Sequence, residues 1–146
     1  MNSRTSAHSP AARSDRLIDA LVQTSFATMA VLNRVGGEND LSLTQLRVLA
    51  ILRDRRVRMT ALADHLGLEK STMTGLVDRA EKRGLLQRAR NSNDGRAVDV
   101  LLTPAGAQLT ERVYAEVERL LAPSTNALEE ADRKQFQLLL ERMLAG

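Results

Sequence analysis

The stretch Met59–Gly106, "MTALADHLGLEKSTMTGLVDRAEKRGLLQRARNSNDGRAVDVLLTPAG", decides the fold. Thr60 is placed to N-cap a short helix over "ALADHL", and Gly67 stands just past it, where a left-handed residue ends a helix. After a three- or four-residue turn, "KSTMTGLVDRAEKR" carries helical periodicity and is closed by Gly84. The pattern then changes to alternation. "LLQRAR" and "AVDVLL" read as two strands, and the "NSNDG" between them supplies residues that tolerate the left-handed conformations of a tight loop. Thr103 with Pro104 at the first helical position starts another helix. A helix–turn–helix followed directly by a hairpin is a winged helix. The predicted class is mainly α, with a two-stranded β-hairpin wing.

The same reading extends outward in both directions. "VRMT" is a short extended link into the helix–turn–helix. Before it, Ser42 and Gln45 form a capping-box pattern that opens a helix holding Leu46, Leu49, Ala50 and Leu52. Leu17, Ile18, Leu21, Val22, Phe26 and Met29 recur at helical spacing, predicting a helix from Ser14 to about Arg34 that stops at Gly36-Gly37. Residues 1–12, rich in Ser and Ala, are predicted disordered. After Pro104 the apolar positions Leu109, Val113, Val117, Leu120 and Leu121 mark one helix, which Pro123 ends or kinks. Phe136, Leu139, Leu140, Met143 and Leu144 mark another, over about 130–144. The expected division is a tail at 1–12, a helical segment at 13–40, a winged helix–turn–helix lobe at 41–103 and further helices at 104–146.

Composition narrows the function. The 146 residues contain no cysteine, which excludes disulfides, thiolate metal sites and cysteine redox switching. Phe26, Phe136 and Tyr114 are the only aromatic residues, so the core is aliphatic. The N-terminal sequence has no apolar region of the secretory kind, and no run of about 18 apolar residues exists; a cytoplasmic protein without membrane contact is expected. Net charge is +3, unevenly spread. Residues 41–104 carry twelve Lys/Arg against seven acids, whereas residues 105–146 carry five against seven. A basic excess on the lobe points toward nucleic acid, although charge runs are more often solvated faces.

Stepping 100° per residue along "KSTMTGLVDRAEKR" puts Met73, Leu76, Val77 and Ala80 on one face. Ser71, Thr74, Gly75, Asp78 and Lys82 fall opposite, flanked by Lys70, Thr72 and Arg79. Small hydroxyl residues at the start of such a helix can approach base edges or phosphates, and the helix N-terminus attracts anions. Gly75 in mid-helix costs about 1 kcal/mol relative to alanine. Either a duplex approaches the backbone there or the position is slack. In the hairpin, Arg88, Arg90 and Arg96 border a tip containing Asn93 and Asp94. An arginine just past such a tip can enter a minor groove. Asp94 is near enough to orient the Arg96 guanidinium by a bidentate contact, or the pair simply rigidifies the loop.

"LTQLRVLAIL" together with the opening stretch closely resembles the MarR family of bacterial transcriptional regulators. The resemblance runs from about Ser42 to Gly106, and the flanking helices fit the family's dimerisation region. It implies a homodimer of interdigitated terminal helices that binds a pseudo-palindromic double-stranded operator. Recognition helices would occupy major grooves and wings the neighbouring minor grooves. It also implies repression relieved by a small, often aromatic or phenolic, effector, and no cofactor. Carried over by position, Lys70, Ser71, Thr72 and Thr74 face the groove, Arg79 is a phosphate or structural arginine, and Asp94 and Arg96 form the wing pair. Phe26, Met29 and Tyr114 are the residues that would line an effector crevice. The chain departs from many members at Gly75, where a long or basic residue is frequent, at Ala80, where Leu is, and at Asn93, where Arg is.

Two other classes compete. An enzyme would need a reactive constellation, and His8 and His65 belong to no Ser/His/Asp or metal-spaced cluster; no catalytic or metal-binding residue is assigned. A winged helix used only for protein contacts is the remaining alternative. Its binding would be insensitive to salt, whereas phosphate contacts make affinity fall steeply with salt.

Overall fold

A computed structural model describes residues 10–146, with side chains described from Arg16 onward. The elements run α1 (Pro10–Glu38), α2 (Leu43–Leu52), β1 (Val57–Arg58), α3 (Met59–Leu66), α4 (Lys70–Lys82), β2 (Leu86–Arg90), β3 (Val98–Leu102), α5 (Pro104–Thr125) and α6 (Glu130–Ala145). Helices α2–α4 and the sheet make the winged lobe, and α1 and α5 pack against each other beside it.

Local signals set most boundaries. Gln45 N–H donates to Ser42 Oγ at 3.1 Å and Ser42 N–H to Gln45 Oε1 at 2.7 Å, completing the capping box of α2. Gly67 takes φ 63° and Leu68 N–H returns to Ala63 O, which closes α3 and starts the turn. Gly84 does the same after α4 at φ 73°, with Leu85 N–H donating to Ala80 O. Thr103 Oγ1 accepts from Gly106 N–H, with Pro104 at the first helical position of α5.

The expected hairpin forms and is extended by one strand, and three other expectations are corrected. The hairpin is part of a three-stranded antiparallel sheet of order β1-β3-β2, because the link before α3 pairs Val57 with Val100 and Arg58 with Asp99. Thr60 is not the N-cap of α3. The helix begins two residues earlier than expected, at buried Met59, with Arg58 at the cap position and no side-chain cap bond. Helix α1 does not stop at Gly36-Gly37 but continues to Glu38; the reversal is made at Asp40, at φ 53°. A glycine weakens a helix without breaking it, and Gly36 serves another purpose. A Cβ there would stand 2.6 Å from Leu41 O, so the returning chain crosses at a distance only glycine permits. Finally, α1 begins at Pro10, making residues 10–12 helical, while the rest of the tail, His8 included, lies outside the described residues.

The core lies inside the lobe. Val48, Leu52, Leu62, Met73, Val77 and Val100 are almost completely buried, joined by Val35 from α1 and by Leu109 and Val113 from α5. The far parts of the molecule differ. Leu17, Ile18 and Phe26 on α1 and Phe136, Leu139, Met143 and Leu144 on α6 are exposed, and α6 buries no residue at all.

Candidate nucleic-acid interface

Helix α4 is held by its apolar stripe: Met73, Leu76, Val77 and Ala80 are buried, as the helical spacing requires. Its other face presents Ser71, Thr72, Thr74, Gly75 and Arg79 outward. Thr74 Oγ1 donates to Lys70 O at 2.9 Å. A Cβ on Gly75 would meet only Arg79 Nη1, at 3.5 Å. Among the described residues no neighbour demands glycine there.

The sheet carries the wing alongside α4 and opens a cleft of about 320 Å3 between them. Lys70 and Thr74 enter it from α4, Arg88 from β2 and Arg96 from the far side of the tip. Arg58 and Thr60 also line it, and sequence reasoning did not place them there. The signal for Arg58 was its position in a link that turns out to be an edge strand. Four of the expected residues are therefore assembled in one place. Ser71, Thr72, Gly75 and Arg79 continue the surface along α4, while Arg90, Asn93 and Asp94 lie along the wing and at its tip.

The tip is organised by side-chain to backbone bonds. Asn91 Oδ1 accepts from Asn93 N–H at 2.9 Å and Asp94 N–H at 3.1 Å, and Asp94 Oδ1 accepts from Arg96 N–H at 3.1 Å. Of the two readings of the Asp94–Arg96 pair, this is the one in which it rigidifies the loop. Asp94 fixes the Arg96 backbone, not its guanidinium, because a span of two residues closes a turn more readily than it brings a long side chain back.

Beneath the tip lies a group that sequence reasoning missed. The Asp99 carboxylate, its side chain only 7% exposed, accepts from Asn91 Nδ2 at 2.9 Å and from Arg56 Nε at 2.9 Å. Arg56 also donates to Arg90 O at 3.1 Å. The Asn91 hydrogen bond, and then the Arg56 guanidinium, hold the Asp99 carboxyl below the usual carboxylate range. The readable signal was an acid between two valines in a strand, since a buried carboxylate calls for partners.

Arg88 differs from its neighbours. Nη2 lies 2.6 Å from Asp78 Oδ1 and Nη1 2.7 Å from Glu81 Oε1, so both arms of its fork are engaged by α4. The Asp78 hydrogen bond leads the causes that raise its pKa above the ordinary arginine value.

The three expected effector residues are not brought together within one chain. Met29 lines a largely apolar cleft of about 450 Å3 with Leu32, Leu43, Leu46, Ala50 and Leu68. Tyr114 lines a different one, where the Arg53 guanidinium sits 3.9 Å over its ring and is also bound by Glu111 at 2.9 and 3.0 Å. Phe26 is exposed and lines neither. Among the described residues no group of three or more His, Asp or Glu side chains is placed to hold a metal, and no helix is long and apolar enough to cross a membrane.

A recognition helix, a basic cleft and a wing define a winged helix–turn–helix protein of the DNA-binding type. The family model described as the MarR family matches residues 41–98. The HTH-type transcriptional regulator PecS of Dickeya dadantii is 30% identical over 135 residues, covering 87% of this chain and 79% of the relative. The Homoprotocatechuate degradative operon repressor of Escherichia coli is 26% identical over 132 residues, covering 90% and 89%. Among solved structures, NadR in complex with 4-hydroxyphenylacetate superposes with a TM-score of 0.75 at 25% identity, covering 99% of this chain and 96% of the other. Wild-type MarR from E. coli in its apo form gives 0.68 at 27% identity, over 89% and 96%. The chain belongs to the MarR family of transcriptional regulators.

Proposed function

We propose that two copies of this chain form a homodimer that binds a pseudo-palindromic double-stranded operator and represses transcription until a small ligand releases it. The observation that carries the reading is the cleft in which Lys70 and Thr74 of α4 face Arg58 of β1 and Arg96 of the wing tip. Ser71, Thr72 and Thr74 enter the major groove, Gly75 lets the duplex approach α4, and Arg79 meets phosphate. Arg96, with Arg90 and Asn93 beside it, reaches the minor groove. Asp94 shapes the turn that presents Arg96. The exposed apolar faces of α1 and α6 supply the dimer contact, a use that patches of this kind commonly have.

A ligand reading is favoured by the apolar cleft beside Met29, which runs between α1 and α2 and so joins the dimer arm to the lobe. Relatives named for an aromatic catabolic operon and for a complex with 4-hydroxyphenylacetate suit a small aromatic acid as the ligand class. The cleft walls are aliphatic, so recognition rests on shape and on Arg47 at its rim. A ligand that binds better to one arm-to-lobe arrangement shifts the population between DNA-competent and incompetent forms.

Selection of bound duplexes from a random pool tests the reading. Two inverted half-sites about 10–10.5 bp apart, centre to centre, are expected, with affinity falling steeply with salt. A pool that yields no enriched sequence, or binding indifferent to salt, overturns it in favour of a protein-interaction module. Ligand affinity should fall when operator is present, because binding free energies couple reciprocally. Equal affinity with and without operator would exclude release by this ligand.

A further inference from the structure

Asp78 and Glu81 lie less than one turn apart on the helix assigned to the major groove. Carboxylates near that surface repel phosphates. The wing answers them with a single side chain. Arg88 reaches from β2 across to α4 and places one arm of its fork on each acid, at 2.6 and 2.7 Å. Only a guanidinium offers two planar donors in that spread. Lys82 shares the same small surface with Asp78 and Glu81, so two cations offset two anions. Arg88 is 32% exposed and Asp78 50%, and ion pairs so open to solvent contribute little to folding stability. The arrangement therefore needs another reason.

We propose that Arg88 is an electrostatic mask: it neutralises Asp78 and Glu81 so that α4 can approach the duplex, and it makes no direct contact with DNA. The proposal rests on α4 being the recognition helix. It separates Arg88 from Arg90 and Arg96, whose guanidinium groups have no partner among the described residues. It also explains how a recognition helix carries two acids without losing affinity for a polyanion.

The test uses the full-length protein and two labelled duplexes, the one recovered from the random pool and one of mixed sequence. Affinity is measured for wild type, Arg88→Ala, Asp78→Asn/Glu81→Gln and the triple variant, between about 50 and 200 mM salt. Arg88→Ala should weaken binding on the order of tenfold, since unmasked carboxylates then face the phosphates in each subunit. Asp78→Asn/Glu81→Gln should bind at least as tightly as wild type. The triple variant should return to within about twofold of wild type and keep its salt slope, because a masking cation releases no counterions from DNA.

A triple variant as weak as Arg88→Ala overturns the mask. A shallower salt slope would then identify a direct phosphate contact, and an unchanged slope a mechanical tie between wing and helix. A loss of affinity in Asp78→Asn/Glu81→Gln alone also overturns it, and this holds even where Arg88→Ala fails to fold. Wild-type protein that binds neither duplex overturns the DNA-binding reading itself, and the mask with it.

Discussion

Met73 on α4 and Met143 on α6 are the same residue on two helices with an apolar stripe, yet Met73 is fully buried and Met143 is 58% exposed. The first lies on a helix that packs against α3 and β2. The second belongs to a helix with no buried residue. A stripe left uncovered in one chain is a requirement for something outside it. The lobe's core is filled by residues of this chain, with Val35, Leu109 and Val113 of α1 and α5 included, whereas the exposed stripes of α1 and α6 are the surfaces proposed above for the dimer contact. The two kinds of apolar surface should answer mutation by different rules.

The largest effect is expected in the lobe. Met73→Ala should cost about 2–5 kcal/mol, the range for emptying a packed core site. Denaturant unfolding should show this loss at every protein concentration, because the site is filled by the same chain. A loss that shrinks as protein concentration rises would mean that the lobe, too, depends on a second copy.

A charge in the arms should act through association. Leu139→Asp with Met143→Asp should leave the far-ultraviolet spectrum of the lobe largely intact but turn a dimer into a monomer by light scattering. Operator affinity should then fall by a factor of 10 or more, since each half-site is bound alone; one tenfold factor is about 1.4 kcal/mol. Dimers that persist in this variant would place the interface elsewhere, on α1 or α5.

A smaller effect is expected at Asp99. Its folded carboxyl titrates below its unfolded value, so it contributes stability above the unfolded pKa, about 3.9, and that contribution is lost as pH falls through the folded value. Wild type should therefore exceed Asp99→Asn by a constant margin at neutral pH, and the margin should close only in acid. A margin that persists unchanged at the lowest pH would show that Asp99 acts through its shape and not its charge. Because Asn91 links Asp99 to the tip, the variant should also loosen amide protection at Asn93 and Asp94.

These contrasts mark what was legible in the sequence. The periodicity of α4 assigned its buried and outward faces residue by residue, and Ser42–Gln45, Gly67, Gly84 and Thr103-Pro104 each ended or began an element by local chemistry. What escaped depends on partners distant in the chain. Strand β1 is two residues long, too short for alternation, and exists because Val100 and Asp99 pair with it. Gly36 read as a stop when its use is the passage of Leu41 O. Arg56, Asn91 and Asp99 lie up to 43 residues apart, and Arg88 meets its acids across 7 and 10. No local pattern reports such meetings. The candidate interface was therefore legible as a set of residues, but not the division between those that face outward and those, such as Arg56 and Arg88, that bond to other side chains.

The smallest expected effect asks why α4 tolerates a glycine at all. At Gly106 an added Cβ would collide with the Leu85 carbonyl, and at Gly36 with that of Leu41, so both are explained inside the chain. Gly75 has no such neighbour. Gly75→Ala should raise stability by about 1 kcal/mol, the gain in helix propensity, and thermal unfolding would read it. The added methyl points along the same face as Thr74 and Ser71, so the two explanations part at the operator. If the duplex passes close to the backbone, the more stable variant binds more weakly, and the glycine is retained for contact at a cost in folding. If affinity is unchanged, Gly75 is slack, and the reading of sequence rests on the hydroxyl residues before it and on the wing.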